Sequence, residues 1–285
     1  MSLQLRGTGF FGKLPTAGDF QKALLADGPD SKVLQWFTDG WARYALAGGR
    51  PDPQNPIHFV WQRPGTPTAF LGSMLASRDR SGRRFPLMAF GAVTGMRTTG
   101  TILGCCRGFL DRAVAVLDTG RSGLDAKALL GHVESLRTAL DPDGWVQQTD
   151  WEATTSPDQW AAGVEGGAAA RLRAIEFAFS SGGTPNFVLR GRWQGDLRHL
   201  AAGIGLLQHL GKQPPAMLFW SESDGAVSWR MSFDYAIASQ FEGLLWHEAS
   251  SGSAFDTDPG RVTIPDSFVS RRVTAINLST LLAGG

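Results

Sequence analysis

The sequence predicts an α/β fold, a single layered domain built on a mixed sheet. Three observations predict it. Strand-like runs alternate with amphipathic helical patterns and no long linker intervenes; two pairs of strand-like runs are joined by turn residues, as antiparallel hairpins are; and 42% of the 285 residues are hydrophobic against 19% charged, enough apolar material for a large core.

Residues 9–20, GFFGKLPTAGDF, are short apolar pieces broken by Gly12, Pro15 and Gly18, which suits an extended segment with a tight turn. From Pro29 onward, Val33, Phe37, Trp41 and Tyr44 recur at helical spacing ahead of Gly48 and Gly49, marking an amphipathic helix with an aromatic face. Residues 56–62, 69–79 and 84–93 are β-rich. The last two are separated by residues 80–83, with Gly82 as the turn glycine, so they form a hairpin with a basic tip.

Residues 101–118 carry Ile102, Cys106, Phe109, Leu110, Ala113, Val114 and Leu117 on one stripe and read as a core-facing helix. A second helix spans 122–140 and stops at the turn signal DPDG. The tryptophan-rich stretch 145–167 is irregular; a helix follows at 168–180, a strand at 186–193 and a helix at 196–210. MLFWSES and VSWRMSF, joined at Asp224 and Gly225, form the second hairpin, and a helix over 237–247 packs back. Residues 1–248 are the expected domain, and 249–285, rich first in Ser, Gly, Asp and Thr, are an appendage.

Charge and cysteine content narrow the function. Lys plus Arg is 27 and Asp plus Glu is 26, so the net charge of +1 gives no global case for a nucleic-acid partner. The two cysteines, Cys105 and Cys106, are sequence neighbours and supply neither a disulfide framework nor a zinc cluster, which fits a reducing cytoplasm. No apolar run approaches the ~20 residues needed to span a bilayer, and the first thirty residues lack a signal-peptide core.

The segment GTGFFG, residues 7–12, satisfies the G-x-G-x-x-G dinucleotide pattern, and GTGFFGKL meets a P-loop pattern up to its last position. Its context is wrong for either. Only residues 3–6 are left for the preceding strand, Pro15 and Gly18 interrupt the helix that should follow, and Leu14 stands where a Mg²⁺-binding Ser or Thr belongs. There is no G-x-S-x-G elbow and no H-E-x-x-H, and the five histidines are scattered, each a surface or satisfied core residue. No catalytic constellation, metal site or cofactor is expected.

Arg78, Asp79, Arg80, Arg83 and Arg84 concentrate charge on the hairpin tip. Three roles are open: a solvated turn; an ion-pair network in which Lys13, Asp19, Asp79 and the arginines tie the N-terminal segment to the hairpin; or a patch that docks an acidic or phosphorylated surface, for which the guanidinium fork is suited.

GFFGKLPTAGDF, the WFTDGW of residues 36–41, HFVW at 58–61 and ASRDRSGRRFPLM at 76–88 together resemble the TagF family of type VI secretion accessory proteins. The motif-bearing part is residues 9–95. One departure lies in the second block, where Ala76 stands in place of the family's proline and Arg78 precedes Asp79; another is the extra tail after about residue 248. The resemblance implies a three-layer α/β sandwich with helices on both faces, and no enzymatic activity. It implies a cytoplasmic protein that represses a type VI secretion machine post-translationally by binding a forkhead-associated scaffold protein. The alternatives are a structural or assembly component of the apparatus, and an enzyme using the N-terminal glycines. Lys13, Asp19, Asp79, Arg80, Arg83 and Arg84 are the candidate contact or network residues; Gly12, Leu14, Pro15, Gly18, Gly82, Phe85 and Pro86 are motif residues expected to build one local structure.

Overall fold

The structure, a computed structural model, describes residues 4–23, 31–46, 55–95, 103, 106–138, 180, 188–194, 197, 200, 204, 215–236, 238 and 241–245. The expected features at 145–167, 168–179 and 249–285 lie outside them, as does Cys105.

The strands are β1 (Gln4–Lys13), β2 (Phe20–Ala23), β3 (Ile57–Gln62), β4 (Ala69–Leu75), β5 (Leu87–Thr94), β6 (Val188–Gln194), β7 (Met217–Ser223) and β8 (Ala226–Ser232). They form a sheet in the order β2-β1-β5-β4-β3-β7-β8-β6. The helices are α1 (Ser31–Leu46), α2 (Arg107–Arg121), α3 (Ala126–Glu134), followed by a 3₁₀ turn at Ser135–Thr138, and α4 (Phe241–Leu245).

The sheet is buried on both faces, which is why its central strands read as nearly unbroken apolar runs. Alternation along each strand sorts the side chains. Phe10, Val60, Leu71, Leu87, Ala89, Trp220 and Trp229 point to one face, where Phe109, Leu110, Ala113 and Leu117 of α2 and Leu129 and Val133 of α3 cover them. Phe11, Phe59, Trp61, Met88, Phe90 and Phe219 point to the other, under Val33, Trp36, Phe37 and Trp41 of α1 and Phe241 and Leu244 of α4. The molecule is therefore a helix–sheet–helix sandwich, the α/β layering the sequence predicts.

One feature of the expected sheet is corrected. Every pairing among the described strands is antiparallel, where a mixed sheet was expected. The alternation of strands and helices suggested parallel crossovers, but β2 and β3, which flank α1, are not neighbours in the sheet, and neither are β5 and β6. No parallel β–α–β pair is closed among the described strands.

Both predicted hairpins are present. β4 pairs with β5 from Ala69↔Val93 to Leu75↔Leu87. β7 and β8 meet at Asp224 and Gly225, both at positive φ (51° and 70°), as a tight two-residue hairpin loop demands. The predicted second helix is shorter than 122–140: Asp125 caps α3 by accepting a hydrogen bond from the Ala128 N–H, so residues 122–125 are the inter-helix loop. Among the described residues no helix is long and apolar enough to cross a membrane.

Candidate functional site

The two motif blocks are far apart in sequence, yet β1 pairs with β5 and β5 with β4, which sets the end of β1 beside the β4–β5 turn. Residues 14–19 turn the chain from β1 into β2, with the Ala17 N–H donating to the Leu14 carbonyl at 3.0 Å. In the second block, Arg78 and Arg84 face one another in an isolated antiparallel bridge, and the Phe85 N–H donates to the Ser77 carbonyl at 3.0 Å.

Asp79 is the hub. Its side chain is fully buried, and both oxygens are occupied. Oδ1 accepts from the backbone N–H groups of Ser81 and Arg83, each at 2.9 Å; Oδ2 accepts from Lys13 Nζ at 2.9 Å and Arg83 Nε at 2.7 Å. Burial by itself disfavours the carboxylate anion. The hydrogen bonds from Lys13 and from the backbone and side chain of Arg83 outweigh that penalty and hold Asp79 well below the usual carboxylate range.

Further bonds close the join. The Arg80 N–H donates to the Ala17 carbonyl at 2.8 Å, Ser77 Oγ to the Lys13 carbonyl at 2.8 Å, and Arg83 Nη2 to the Gly18 carbonyl. Thr16 Oγ1 donates to the Leu124 carbonyl at 2.9 Å, bringing in the loop between α2 and α3. Beneath lies an aromatic bed: Phe20 and Phe85 meet edge to face at 4.6 Å between centroids, Phe11 stacks on Phe20 at 5.6 Å, and Trp41 of α1 touches Phe85 at 5.7 Å. Lys13 Nζ sits 5.2 Å from the Phe20 ring centre, adding a cation–π contact.

The candidate residues thus separate by environment. Lys13 and Asp79 are buried partners, and Arg83, whose side chain is 59% exposed, is shared between the network and solvent. Arg80 is exposed and contributes its backbone N–H. Asp19 is exposed and accepts a hydrogen bond from the Phe20 N–H, outside the Asp79 cluster. Arg84 is half-buried opposite Arg78.

Among the motif residues, Leu14, Phe85 and Pro86 are buried, Pro15 is half-buried in the turn, and Gly18 is exposed. Gly12 has φ +141° and lies so close to the Pro86 carbonyl that a side chain would collide with it. Gly82, at φ +80°, makes the tight turn under Asp79 and faces open space. Sequence reasoning did not single out Ser77 or Phe20, although both stand inside the quoted motif blocks. Their part depends on the strand pairing that brings the blocks together.

The GTGFFG segment is not a phosphate loop. Residues 7–12 lie within β1, laddered to β5 through Phe11 and to β2 from Phe10 onward, so the strand ladders use the backbone groups that would cradle a phosphate. His58 is a core histidine of β3, with Nδ1 2.9 Å from Ser73 Oγ; burial, with the Arg107 charge adding to it, pushes its pKa down to about 4. Among the described residues no group of His, Cys, Asp and Glu is placed to hold a metal ion.

Residues 9–136 match the family model of the TagF N-terminal domain, described as type VI secretion system-associated. No curated protein sequence matches the chain. Among solved structures, the fold is similar to the crystal structure of PA0076 from Pseudomonas aeruginosa PAO1, with a TM-score of 0.50 at 20% identity over 90% of this chain and 100% of that one.

Proposed function

We propose that this protein is a cytoplasmic, non-enzymatic accessory protein that represses a type VI secretion system post-translationally by binding its forkhead-associated scaffold protein. The observation that carries the proposal is the family match over residues 9–136, which contains both motif blocks and the Asp79 join they build. A region whose polar groups are spent holding two loops to each other serves as a rigid recognition surface, because order already present in the free protein is not a cost on binding. We assign the domain to residues 1–248, with 249–285 as an appended segment.

The test is secretion of the inner-tube protein in a strain with an active system. Deletion of this chain raises secretion without changing the amounts of the apparatus proteins, and its overproduction abolishes secretion. Unassembled sheaths in the deletion strain would make the protein an assembly component and overturn the repressor assignment.

A further inference from the structure

Arg80 and Arg83 converge on Gly18. Arg83 Nη2 donates to the Gly18 carbonyl, and Arg80 Nη2 lies 3.7 Å from where a Gly18 side chain would begin. Gly18 is exposed and has no side chain of its own, and on the turn that carries the two arginines Ser81 and Gly82 are also exposed and small, with open space where a Gly82 side chain would begin.

The charges nearby do not saturate it. Asp79 already receives Lys13 and Arg83 Nε, and that buried pair leaves no carboxylate oxygen for the surface. Asp19 stands beside Gly18 with Oδ1 on the Phe20 N–H. Arg83 Nη1 and the whole Arg80 guanidinium have no hydrogen-bond or ion-pair partner among the described residues. Two guanidinium groups held at one glycine, in a chain of net charge +1, are a local device and not a consequence of overall basicity.

We infer that Arg80 and Arg83 form a docking clasp for an acidic protein segment, whose Asp or Glu carboxylate lies over Gly18 and accepts hydrogen bonds from both guanidinium groups. Two features suit a carboxylate-bearing chain. The planar forks match its geometry, and the absence of side chains at Gly18 and Gly82 lets a peptide backbone approach closely. Lys13 and Asp79 are positioning residues that fix Arg83 and touch no ligand. The inference rests on the proposed function for the identity of the partner, which the acidic segment would belong to, but not for the site itself.

The experiment is fluorescence anisotropy of a fluorescein-labelled oligoglutamate peptide titrated with the full chain at low ionic strength. The wild type binds it, added salt weakens binding, Arg80→Glu weakens it about tenfold or more, and Arg80→Lys retains most of it, the size expected for losing one charge-assisted contact. Thermal melting of Arg80→Glu matches wild type, because the side chain holds nothing in the fold. No binding, equal binding by Arg80→Glu, or binding only of a phosphoserine peptide overturns the inference.

Capture of the forkhead-associated scaffold by wild type and Arg80→Glu separates the two proposals. Equal capture by both overturns the assignment of the acidic segment to the scaffold and leaves the proposed function standing. Failure of the wild type to capture it overturns the proposed function, while the peptide titration still decides the clasp.

Discussion

Replacing Gly12 by alanine is a direct probe of how the two motif blocks meet. An ideal Cβ on Gly12 would sit 2.2 Å from the Pro86 carbonyl oxygen and 2.8 Å from Leu87 Cα. Both are backbone atoms, Leu87 opening β5 opposite Leu75 and Pro86 just before it, with the strand paired on both sides from Met88 onward, so neither can swing away as a side-chain end would. Relief requires β1 and the start of β5 to separate just where Lys13 reaches Asp79. Gly12 also has φ +141°, a conformation that strains any residue with a Cβ by about 1–3 kcal/mol. Overpacking adds roughly 1–3 kcal/mol, so the substitution costs about 4 kcal/mol, out of a total that for most domains is about 5–15 kcal/mol. Scanning calorimetry should register a fall in melting temperature on the order of 10 °C. Gly131→Ala is the control: it lies in α3 with open space where the methyl goes, and it stabilises by up to about 1 kcal/mol through helix propensity. A Gly12→Ala protein that melts within 2 °C of wild type would refute the close approach and, with it, the register of the join.

Three other perturbations have defined outcomes. Asp79→Asn leaves the Lys13 ammonium buried without its counter-charge and lowers the melting temperature, and adding Lys13→Met recovers part of the loss; simple additivity of the two single losses would show that the pair is not coupled. His58 stays neutral in the folded chain down to about pH 4, whereas the unfolded chain protonates near 6.5, so stability is full above that value and falls as pH drops through this window. Urea unfolding should show about 2 kcal/mol less stability at pH 5 than at pH 7 from this group, a difference that His58→Gln removes. Asp79, held below the carboxylate range, adds its own loss only as pH falls below its ordinary value of 3.8. Gly40→Ala drives a methyl to 2.2 Å from the Phe241 ring and destabilises by roughly 1–3 kcal/mol, with Phe241→Leu restoring part of it if α4 packs on α1 as described.

Local signals made much of this molecule legible. The aromatic spacing of Val33, Phe37, Trp41 and Tyr44 became the buried face of α1, and the Asp224–Gly225 pair is at the hairpin corner where its tolerance of positive φ is needed. The alternation of strands and helices misled on sheet direction, because the partner of each strand is chosen by contacts distant in sequence: β3 pairs with β7 across more than a hundred residues. The same reason hid the division of labour in the charged cluster. Lys13 and Arg80 look alike in sequence, but one ends a buried strand against Asp79 and the other sits on an exposed turn, a difference that arises only once β1, β4 and β5 align. Ser77 was overlooked for want of any pattern that marks a hydroxyl aimed at a distant backbone carbonyl.

The claim that matters most is that this domain acts by binding. Isothermal titration calorimetry of the full chain with the proposed partner, a purified forkhead-associated scaffold protein of a type VI secretion system, measures that directly. A saturable complex with one scaffold bound per chain is the predicted result. Absence of binding by a properly folded chain would contradict the account.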